Sequence, residues 1–285
     1  MRWNRWSVLS TKQFWCVCAL LLLTLVYCPA VSAGAWLQQP DRLLYASTQS
    51  AYSSHAYFDA SGNRTDQPAF LKAESNHYLE YGYDEDWTLG ANLFAQLLRQ
   101  EVAGRSEVSD NMGLADSELF AKYLVWKNDQ AVLSLSPLLK LPSLYAHSTL
   151  PKAGSDSVDA ELSLMAGYGF SYDEGHHFVD ARLGLRHRFD TTLEDQIKFD
   201  IKLGYELYPY WFVIPALSLT AATATPSAIN YSESGQNNYH LLKLEGTVLY
   251  KLNDRTYIQF GAFEHVAGRN TGEGVGALFG VGRQY

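Results

Sequence analysis

Apolar and polar residues alternate over much of this chain, in segments of about ten to fourteen residues. The segment Gln196–Tyr208 shows the pattern most clearly, because its apolar residues from Ile197 to Leu207 alternate with polar residues or glycine. A period of two indicates a strand with two different faces. Strands of this length with one apolar face are typical of a barrel that crosses a membrane. The alternation therefore predicts an all-β chain.

We predict a single antiparallel up-and-down transmembrane β-barrel of about 12 strands, with 10 to 14 as the range of alternatives. The predicted strands are Leu43–Tyr52, Ala69–Tyr81, Trp87–Leu98, Ser117–Trp126, Ala131–Leu141, Val158–Phe170, Phe178–Phe189, Gln196–Tyr208, Trp211–Ala221, Tyr239–Tyr250, Thr256–Glu264 and Val275–Tyr285.

The connections predict how the barrel is oriented. Those after every second strand are short and polar, as at Asp84-Glu85-Asp86. Tight turns at one end and long loops at the other are the outer-membrane arrangement, with the turns in the periplasm. The four connections predicted to be long are about Ser53–Pro68, Arg99–Asp116, Pro142–Ser157 and Ala222–Asn238.

The last stretch, Val275–Tyr285, is predicted to close the barrel by pairing with the first strand. Its apolar positions are expected to face lipid, with Arg283 reaching the membrane interface. We expect the barrel-assembly machinery to contact the chain through this strand. Four glycines of the opposite parity are expected to face inward, where their missing side chains leave room in the lumen or let the sheet bend: Gly274, Gly276, Gly280 and Gly282.

A soluble barrel or sandwich is the main structural alternative, since its strands would also have one apolar face. Such a core would bury its aromatic residues in the middle of the strands. Here the aromatic residues cluster at strand ends beside the short turns, as in a membrane-interface girdle. They are Tyr81, Trp87, Trp126, Tyr208, Tyr210, Trp211, Tyr250 and Tyr285.

Residues 1–33 have the features of a cleaved signal peptide. Three basic residues precede an apolar run from Cys16 to Tyr27, and small residues then lead to a predicted cleavage site before Gly34. The run is short for a spanning helix. We therefore expect residues 34–285 to form one barrel domain in the bacterial outer membrane, with the membrane lipids as its surroundings.

Cleavage there would remove all three cysteines and three of the 22 basic residues. The mature chain would have 19 basic residues against 30 acidic ones, a net charge of −11. A cysteine-free exported chain has no disulfides to stabilise it, and a closed barrel in lipid supplies another means. The acidic balance argues against nucleic acid as a partner, because nucleic-acid binding needs a basic surface.

The sequence contains no Walker loop, no Gly-x-Ser-x-Gly elbow and no metal-spaced cysteine set. We therefore predict no enzyme, no cofactor and no metal. His176-His177 is interpreted as a solvated turn pair. His187 has the lipid-facing parity, where a nearby serine would make an outer-membrane lipase. The neighbouring outward faces offer no serine in clear register with His187.

The richest candidate site is a set of charged residues with inward parity. Opposite charges at cross-strand spacing can pair, so the set is either a salt-bridge network that fills a narrow lumen or a lining that selects solutes. The candidates for the lumen lining are Asp159, Glu161, Asp180, Arg182, Arg186, Arg188, Lys198, Asp200, Lys202, Glu206, Lys243 and Glu245.

Six short motifs are spread over the chain: Gly34-Ala35-Trp36, Phe58-Asp59-Ala60-Ser61-Gly62-Asn63-Arg64, Gly113-Leu114-Ala115-Asp116, Lys122-Tyr123, Leu141-Pro142 and Ser157-Val158-Asp159. They resemble the bacterial outer-membrane family named for the meta pathway of phenol degradation. Ala115 stands where that family has glycine, and Leu124 stands where an arginine is usual. The resemblance implies an outer-membrane barrel with a transport role, often encoded with aromatic-degradation genes, and implies no catalytic residues.

Three functions fit these observations. The first is a monomeric channel that passes small solutes, including hydrophobic or aromatic ones, by passive diffusion along a charged wall. The second is a structural or adhesive barrel with a plugged lumen. The third is an outer-membrane enzyme such as a lipase.

Overall fold

The computed structural model describes residues 34–101, 108–142, 151–155, 157–173, 175–190, 192–224 and 238–285. The predicted signal peptide lies outside the described residues. The strands are β1 (Leu43–Phe58), β2 (Arg64–Gly82), β3 (Trp87–Glu101), β4 (Val108–Leu114), β5 (Ser117–Lys127), β6 (Ala131–Leu141), β7 (Asp159–Tyr172), β8 (Gly175–Arg188), β9 (Gln196–Tyr208), β10 (Trp211–Ala222), β11 (His240–Asn253), β12 (Thr256–Arg269) and β13 (Thr271–Gln284). Within these ranges, no helix is long and apolar enough to cross a membrane.

The sheet is antiparallel and closes on itself. β1 pairs with β2 on one side and with β13 on the other. Tyr285 donates its backbone N–H to the Leu43 carbonyl at 2.7 Å. β5 pairs with the first half of β3 and the short β4 with the second half. The chain is therefore a closed 12-stranded antiparallel barrel with β4 as one extra short strand, which confirms the predicted fold class.

The apolar faces of the strands point away from the lumen. On β8, Leu183 and Leu185 are 50% and 63% exposed, whereas Asp180 and Arg186 of the opposite parity are buried. This inverts the arrangement of a soluble protein, because lipid solvates the apolar face and the polar face is enclosed. Apolar and polar side chains therefore alternate along each strand. Closure of the barrel also leaves no unpaired sheet edge in the membrane.

The two ends of the barrel differ. The end that holds the short turns, such as residues 83–86 and 209–210, is called the turn end, and the opposite one the loop end. Aromatic rings cluster at the turn end, where the rings of Trp87 and Tyr123 lie in contact with their centroids 4.8 Å apart. The Arg283 guanidinium lies 5.1 Å from the Tyr285 ring centroid. The rings match the predicted girdle.

Two of the connections predicted to be long are largely strand. β1 continues to Phe58 and β2 begins at Arg64, so only residues 59–63 connect them. Much of the predicted loop Arg99–Asp116 belongs to β3 and β4. Backbone pairing continues beyond the lipid, where nothing imposes apolar alternation, so these strand ends carry no periodic signal.

The turn between β1 and β2 explains the motif around Asp59. The Asp59 carboxylate accepts hydrogen bonds from the backbone N–H groups of Ser61 and Asn63, and Gly62 has a φ of 86°. Such a turn needs a carboxylate or amide at its start and a glycine in the left-handed region. The hydrogen bond from Asn63 is the main reason why the pKa of Asp59 is lowered.

The inward glycines of β13 do not leave open space, contrary to the expectation from sequence. A Cβ at Gly276 would overlap the ring of Phe263 on β12, and one at Gly282 would overlap the ring of Tyr257. Neighbouring aromatic side chains therefore lie flat on this wall. The glycines are needed for that close approach.

Candidate functional site

A network of charged side chains lies inside the barrel on β5, β7, β8 and β9. Arg182 and Arg186 on β8 both bind the Glu161 carboxylate on β7, the latter from Nε to Oε2 at 2.7 Å. The Arg186 Nη2 also donates to Glu118 Oε1 on β5 at 2.8 Å. Lys198 on β9 lies 4.0 Å from Glu161. Each buried charge thus has a counterion, without which its burial would be costly.

Strand register positions this network. Glu161 is directly opposite Arg186 in the antiparallel ladder, and residues directly opposite point to the same face. Arg182, four residues before Arg186 on β8, also forms an ion pair with Glu161. Its Nη1 atom lies 4.0 Å from Asp200 on β9. The pairing predicted between strands therefore occurs, and it includes Glu118, which the candidate set omitted. Its inward parity on β5 was the signal that could have identified it.

The other predicted residues lie elsewhere on the inner surface or at its ends. Asp159 pairs with Lys140 at 2.9 Å near the loop end, and Lys243 pairs with Glu245 at 2.9 Å on the far wall. Lys202 has the inward parity of β9. Two placements differ from a simple lining role: Glu206 accepts the backbone N–H groups of His176 and Tyr210 in the turns, and Arg188 is buried with its Nε and Nη1 atoms unbonded.

The N-terminal segment of residues 34–39 lies inside the barrel at the turn end. The Ala35 N–H donates to Asp180 Oδ2 on β8 at 2.9 Å, and the Ala35 carbonyl accepts from the Ser134 hydroxyl on β6 at 2.9 Å. The Lys122 ammonium donates to the Trp36 carbonyl at 3.4 Å. These bonds attach the segment to one side of the wall.

Gln38 attaches the same segment to the opposite side. Its backbone N–H donates to the Thr88 hydroxyl at 2.9 Å and its side-chain amide donates to Glu80 at 2.7 Å. Gln284 on the closing strand donates to the Gln38 amide oxygen at 3.2 Å. The segment therefore crosses the lumen between distant strands. Asp180 binds this segment and does not simply line the lumen.

Small residues allow the N-terminal segment to fit. Gly34 has a φ of 147°, and a Cβ there would overlap the Asp180 carboxylate. Trp36 lies on Gly167 of β7, where a Cβ would be 2.6 Å from the indole. Sequence reasoning treated Gly34-Ala35-Trp36 only as a family motif. A tryptophan directly after two small residues, Gly34 and Ala35, was the available signal for an internal anchor.

A second stretch, residues 151–155, folds inward near the loop end. Ala153 is fully buried against Leu98 and Ala115, and the Asn111 amide donates to the Pro151 carbonyl at 2.9 Å. Ser155 donates from its backbone N–H to Asp116 at 2.8 Å. This part of the predicted loop Pro142–Ser157 therefore lies against the inner wall rather than outside the barrel.

Aromatic side chains form a strip on the wall made by β1, β2 and β12. The rings of Tyr52 and Phe263 are parallel, with centroids 6.1 Å apart, and the His265 ring is 4.7 Å from that of Tyr52. Phe70 meets Tyr52 edge-on at 6.3 Å. The Lys243 ammonium lies 5.3 Å from the Phe263 ring centroid. We call these side chains of Tyr52, Phe70, Phe263 and His265 the aromatic strip.

The interpretation of His176-His177 as a solvated pair is wrong for His177. That ring is buried, stacks 4.5 Å from Tyr205 and lies 3.0 Å from the Tyr172 carbonyl through Nε2. It is part of the turn-end aromatic girdle. In the part of the chain that the structure describes, no three His, Cys, Asp or Glu side chains are grouped as metal ligands.

No protein-family model and no curated protein matches the chain. Solved structures resemble it in fold. The crystal structure of an outer membrane channel from Pseudomonas putida F1 matches with a TM-score of 0.66 and 13% identity, over 90% of this chain and 100% of that one. The β domain of the Bordetella autotransporter BrkA matches with a TM-score of 0.52 and 14% identity, over 86% of this chain and 100% of that one. NanC porin matches with a TM-score of 0.50 and 9% identity, over 84% of this chain and 98% of that one.

The fold is that of a bacterial outer-membrane barrel. At these identities the likeness concerns the fold alone. The three proteins are described as a channel, an autotransporter domain and a porin, and none of these descriptions is that of an enzyme.

Proposed function

We propose that the protein is an outer-membrane channel for small solutes, which pass by diffusion. The observation that carries the proposal is a closed barrel with two unlike inner walls. One wall holds the charged network around Glu161 and Arg186, and the other holds the aromatic strip. Enclosed polar walls are what an aqueous path through lipid needs. The likeness to a structure described as an outer membrane channel supports this function.

The aromatic strip favours solutes that contain an aromatic ring. Aromatic rings attract one another in offset-stacked or edge-on geometries beyond the gain from burial alone. Lys243, which lies over Phe263 and pairs with Glu245, places a cation beside the strip. Monocyclic aromatic carboxylates are therefore the class that we propose. Membership of the family named for the meta pathway of phenol degradation is part of the same proposal, and its motifs in this sequence support it.

The N-terminal segment is the constriction in this scheme. It is attached by hydrogen bonds to Asp180, Ser134, Thr88 and Glu80. Ala35 and Trp36 also pack against Val132 and Met165 of the wall. Net contributions of single hydrogen bonds are about 1 kcal/mol each. The barrel strands close by pairing with one another and not with this segment, so its displacement would open the turn end to a solute without unfolding the barrel.

Transport is tested with the purified mature barrel in planar bilayers and in liposomes. We expect discrete conductance steps, and faster uptake of benzoate than of cyclohexanecarboxylate, which has a similar size and charge but no aromatic ring. Liposomes without protein give the background for both acids. The absence of conductance together with equal, background uptake of both acids would overturn the channel function.

A structural barrel is the second candidate, and the two inward segments favour it. Residues 34–39 and 151–155 both occupy the lumen, and the charged network has its own counterions. A barrel that stays closed when the N-terminal segment is removed would be of this kind. The same bilayer measurement on that deletion therefore decides between the two candidates.

Export and assembly are also part of the proposal. A signal peptide of residues 1–33 would expose Gly34 as the new N-terminus, next to Asp180. We propose that membrane lipids surround the exposed apolar band and that the barrel-assembly machinery contacts β13. Support comes from the closing position of β13 and from its exposed apolar parity, for which Val275 is an example.

A further inference from the structure

A polar cluster interrupts the apolar outer face at β1 and β2. Ser75 and His77 share the parity of Leu71 and Tyr81, which are exposed on the outside. Ser47 and Gln49 of β1 lie directly opposite His77 and Ser75. Polar and ionisable groups that face lipid are costly and are rarely retained without a role.

The cluster has the geometry of a nucleophile with its base. Ser75 Oγ lies 3.0 Å from His77 Nε2, and Tyr45 Oη lies 2.7 Å from His77 Nδ1. When Nδ1 carries the proton and donates it to Tyr45, Nε2 is free to accept the Ser75 proton. The Tyr45 ring also stacks on the imidazole at 6.0 Å with an interplanar angle of 14°, which fixes the orientation of His77.

Gln49 completes the arrangement. Its Nε2 donates to Ser75 Oγ at 2.8 Å and to Ser47 Oγ at 3.2 Å. An amide N–H at this distance from the nucleophile can also stabilise an oxyanion that forms next to it. Ser75 itself is buried, whereas Gln49 and His77 beside it are partly exposed.

The location of the cluster selects the substrate. It opens to the acyl chains of the bilayer, and His77 lies on the same strand as Tyr81, a member of the turn-end girdle. Esters at this surface belong to membrane lipids. We propose that Ser75 and His77, with Tyr45 as a positioning residue, form a second site that hydrolyses the acyl esters of glycerophospholipids in the leaflet at the turn end.

The reaction needs only the lipid and water. Ser75 Oγ attacks the ester carbonyl while its proton passes to His77 Nε2, and the bond to the glycerol oxygen breaks as that oxygen takes the proton. Water then attacks the acyl-serine and gives a proton to His77. The fatty acid leaves, and Ser75 Oγ regains the proton, so atoms and charges balance.

This activity is independent of transport and departs from the expectation that the chain is not an enzyme. It also relocates the lipase hypothesis, because His187 pairs with Asp195 at 2.9 Å and lies at the other end of the barrel. The transport assays measure the lumen, while the assays below measure the outer face, so the failure of one does not imply the failure of the other.

The test uses the mature full-length barrel in mixed micelles of detergent and dioctanoyl phosphatidylcholine. Octanoate release and covalent labelling by a fluorophosphonate are measured for the wild type, Ser75→Ala and His77→Ala. General-base and nucleophile losses typically cost at least about 100-fold in rate, so we expect a drop of that size in both variants. Labelling should be absent in Ser75→Ala.

Matched controls keep the test independent of folding. Ser53→Ala removes another outward serine of the same barrel region, and His187→Ala removes another outward histidine. Both should keep full hydrolysis and labelling. The shift between heated and unheated samples on a gel shows that each variant is a folded barrel. Hydrolysis that is absent from the wild type, or unchanged in folded Ser75→Ala, overturns the proposal.

The role of Tyr45 has its own readout. In Tyr45→Phe the ring stacks as before but no longer accepts the Nδ1 proton, so we expect kcat to fall about tenfold, as for the loss of one hydrogen bond, with KM within about twofold. A packing defect would instead lower binding and labelling together. An unchanged kcat in Tyr45→Phe would remove Tyr45 from the site.

Discussion

Arg186 and Glu118 form an ion pair of 2.8 Å although β6 and β7 lie between their strands in the sheet. The curvature of the closed barrel brings their side chains together across the lumen surface. Arg186 binds Glu161 on the intervening β7 at the same time. One guanidinium therefore connects carboxylates from two strands, and this connection gives the first prediction.

Removing one member of this network should destabilise the barrel. Glu118→Gln or Arg186→Met breaks the buried pair, and such losses cost up to about 3 to 5 kcal/mol. Glu118→Gln should cost less than Arg186→Met, because Arg186 keeps its bond to Glu161. The measurement is the guanidinium midpoint of unfolding in lipid vesicles. Combining the two substitutions should cost less than their sum, because the double variant leaves one fewer unpaired charge. Arg64→Gln, in an exposed pair with Glu273, is the control and should cost about 1 kcal/mol or less.

Removal of residues 34–39 should open the turn end. The segment occupies the lumen through hydrogen bonds to Asp180 and Thr88, so a chain that starts at Pro40 should show a larger single-channel conductance than the mature barrel. Asp180→Asn should increase the open fraction in the same direction, because a neutral amide accepts the Ala35 N–H more weakly than a carboxylate. Asp84→Asn, in an exposed turn at the same end, should leave conductance unchanged.

The aromatic strip should determine the preference for aromatic solutes. Phe263→Ala or Tyr52→Ala removes stacking contacts that are worth about 0.5 to 1.5 kcal/mol per pair, so the ratio of benzoate to cyclohexanecarboxylate uptake should fall by about two- to tenfold. Phe260→Ala changes an outward ring on the same strand and should leave the ratio as it is. A preference that persists in both inward variants would place solute selection elsewhere.

Gly276 should tolerate a side chain only if Phe263 is shortened. Gly276→Ala puts a Cβ into the Phe263 ring and should lower the free energy of unfolding by about 1 to 3 kcal/mol, as overpacking does. Gly246→Ala is the matched control, since its Cβ would have no heavy atom within 4 Å. The double variant Gly276→Ala with Phe263→Ala should cost less than the sum of its single changes. Additive costs would contradict the contact.

The sequence predicted the fold and most strand positions, but the contents of the lumen less well. Alternation identified both the strand that carries Glu161 and the strand that carries Arg186, together with their inward parity. It did not indicate that Glu118 belongs to the same network, because parity fixes a face and not a partner across two strands. It also gave Gly276 the right face but the wrong surroundings.

Functional assignments from sequence depended on register in the same way. His187 was considered for a lipid-facing site because its parity was clear, whereas His77 lies in the more polar β2. The structure instead places Ser75, two residues from His77, within hydrogen-bonding distance of it and brings Tyr45 from β1 to the other ring nitrogen. Only the pairing of β1 with β2 reveals that arrangement.

The sequence by itself determined the closed barrel, its apolar outer band and its two unlike ends. The physical reason is that backbone groups in lipid must be paired and that positions facing lipid are mostly apolar. Because successive side chains of a strand face lipid and lumen in turn, apolar and polar residues alternate in the sequence. The tertiary structure alone decided what fills the barrel: Ala35 at Asp180, Ala153 against Leu98, and Arg186 between Glu118 and Glu161. Those contacts depend on register, closure and the path of non-strand segments, none of which alternation records.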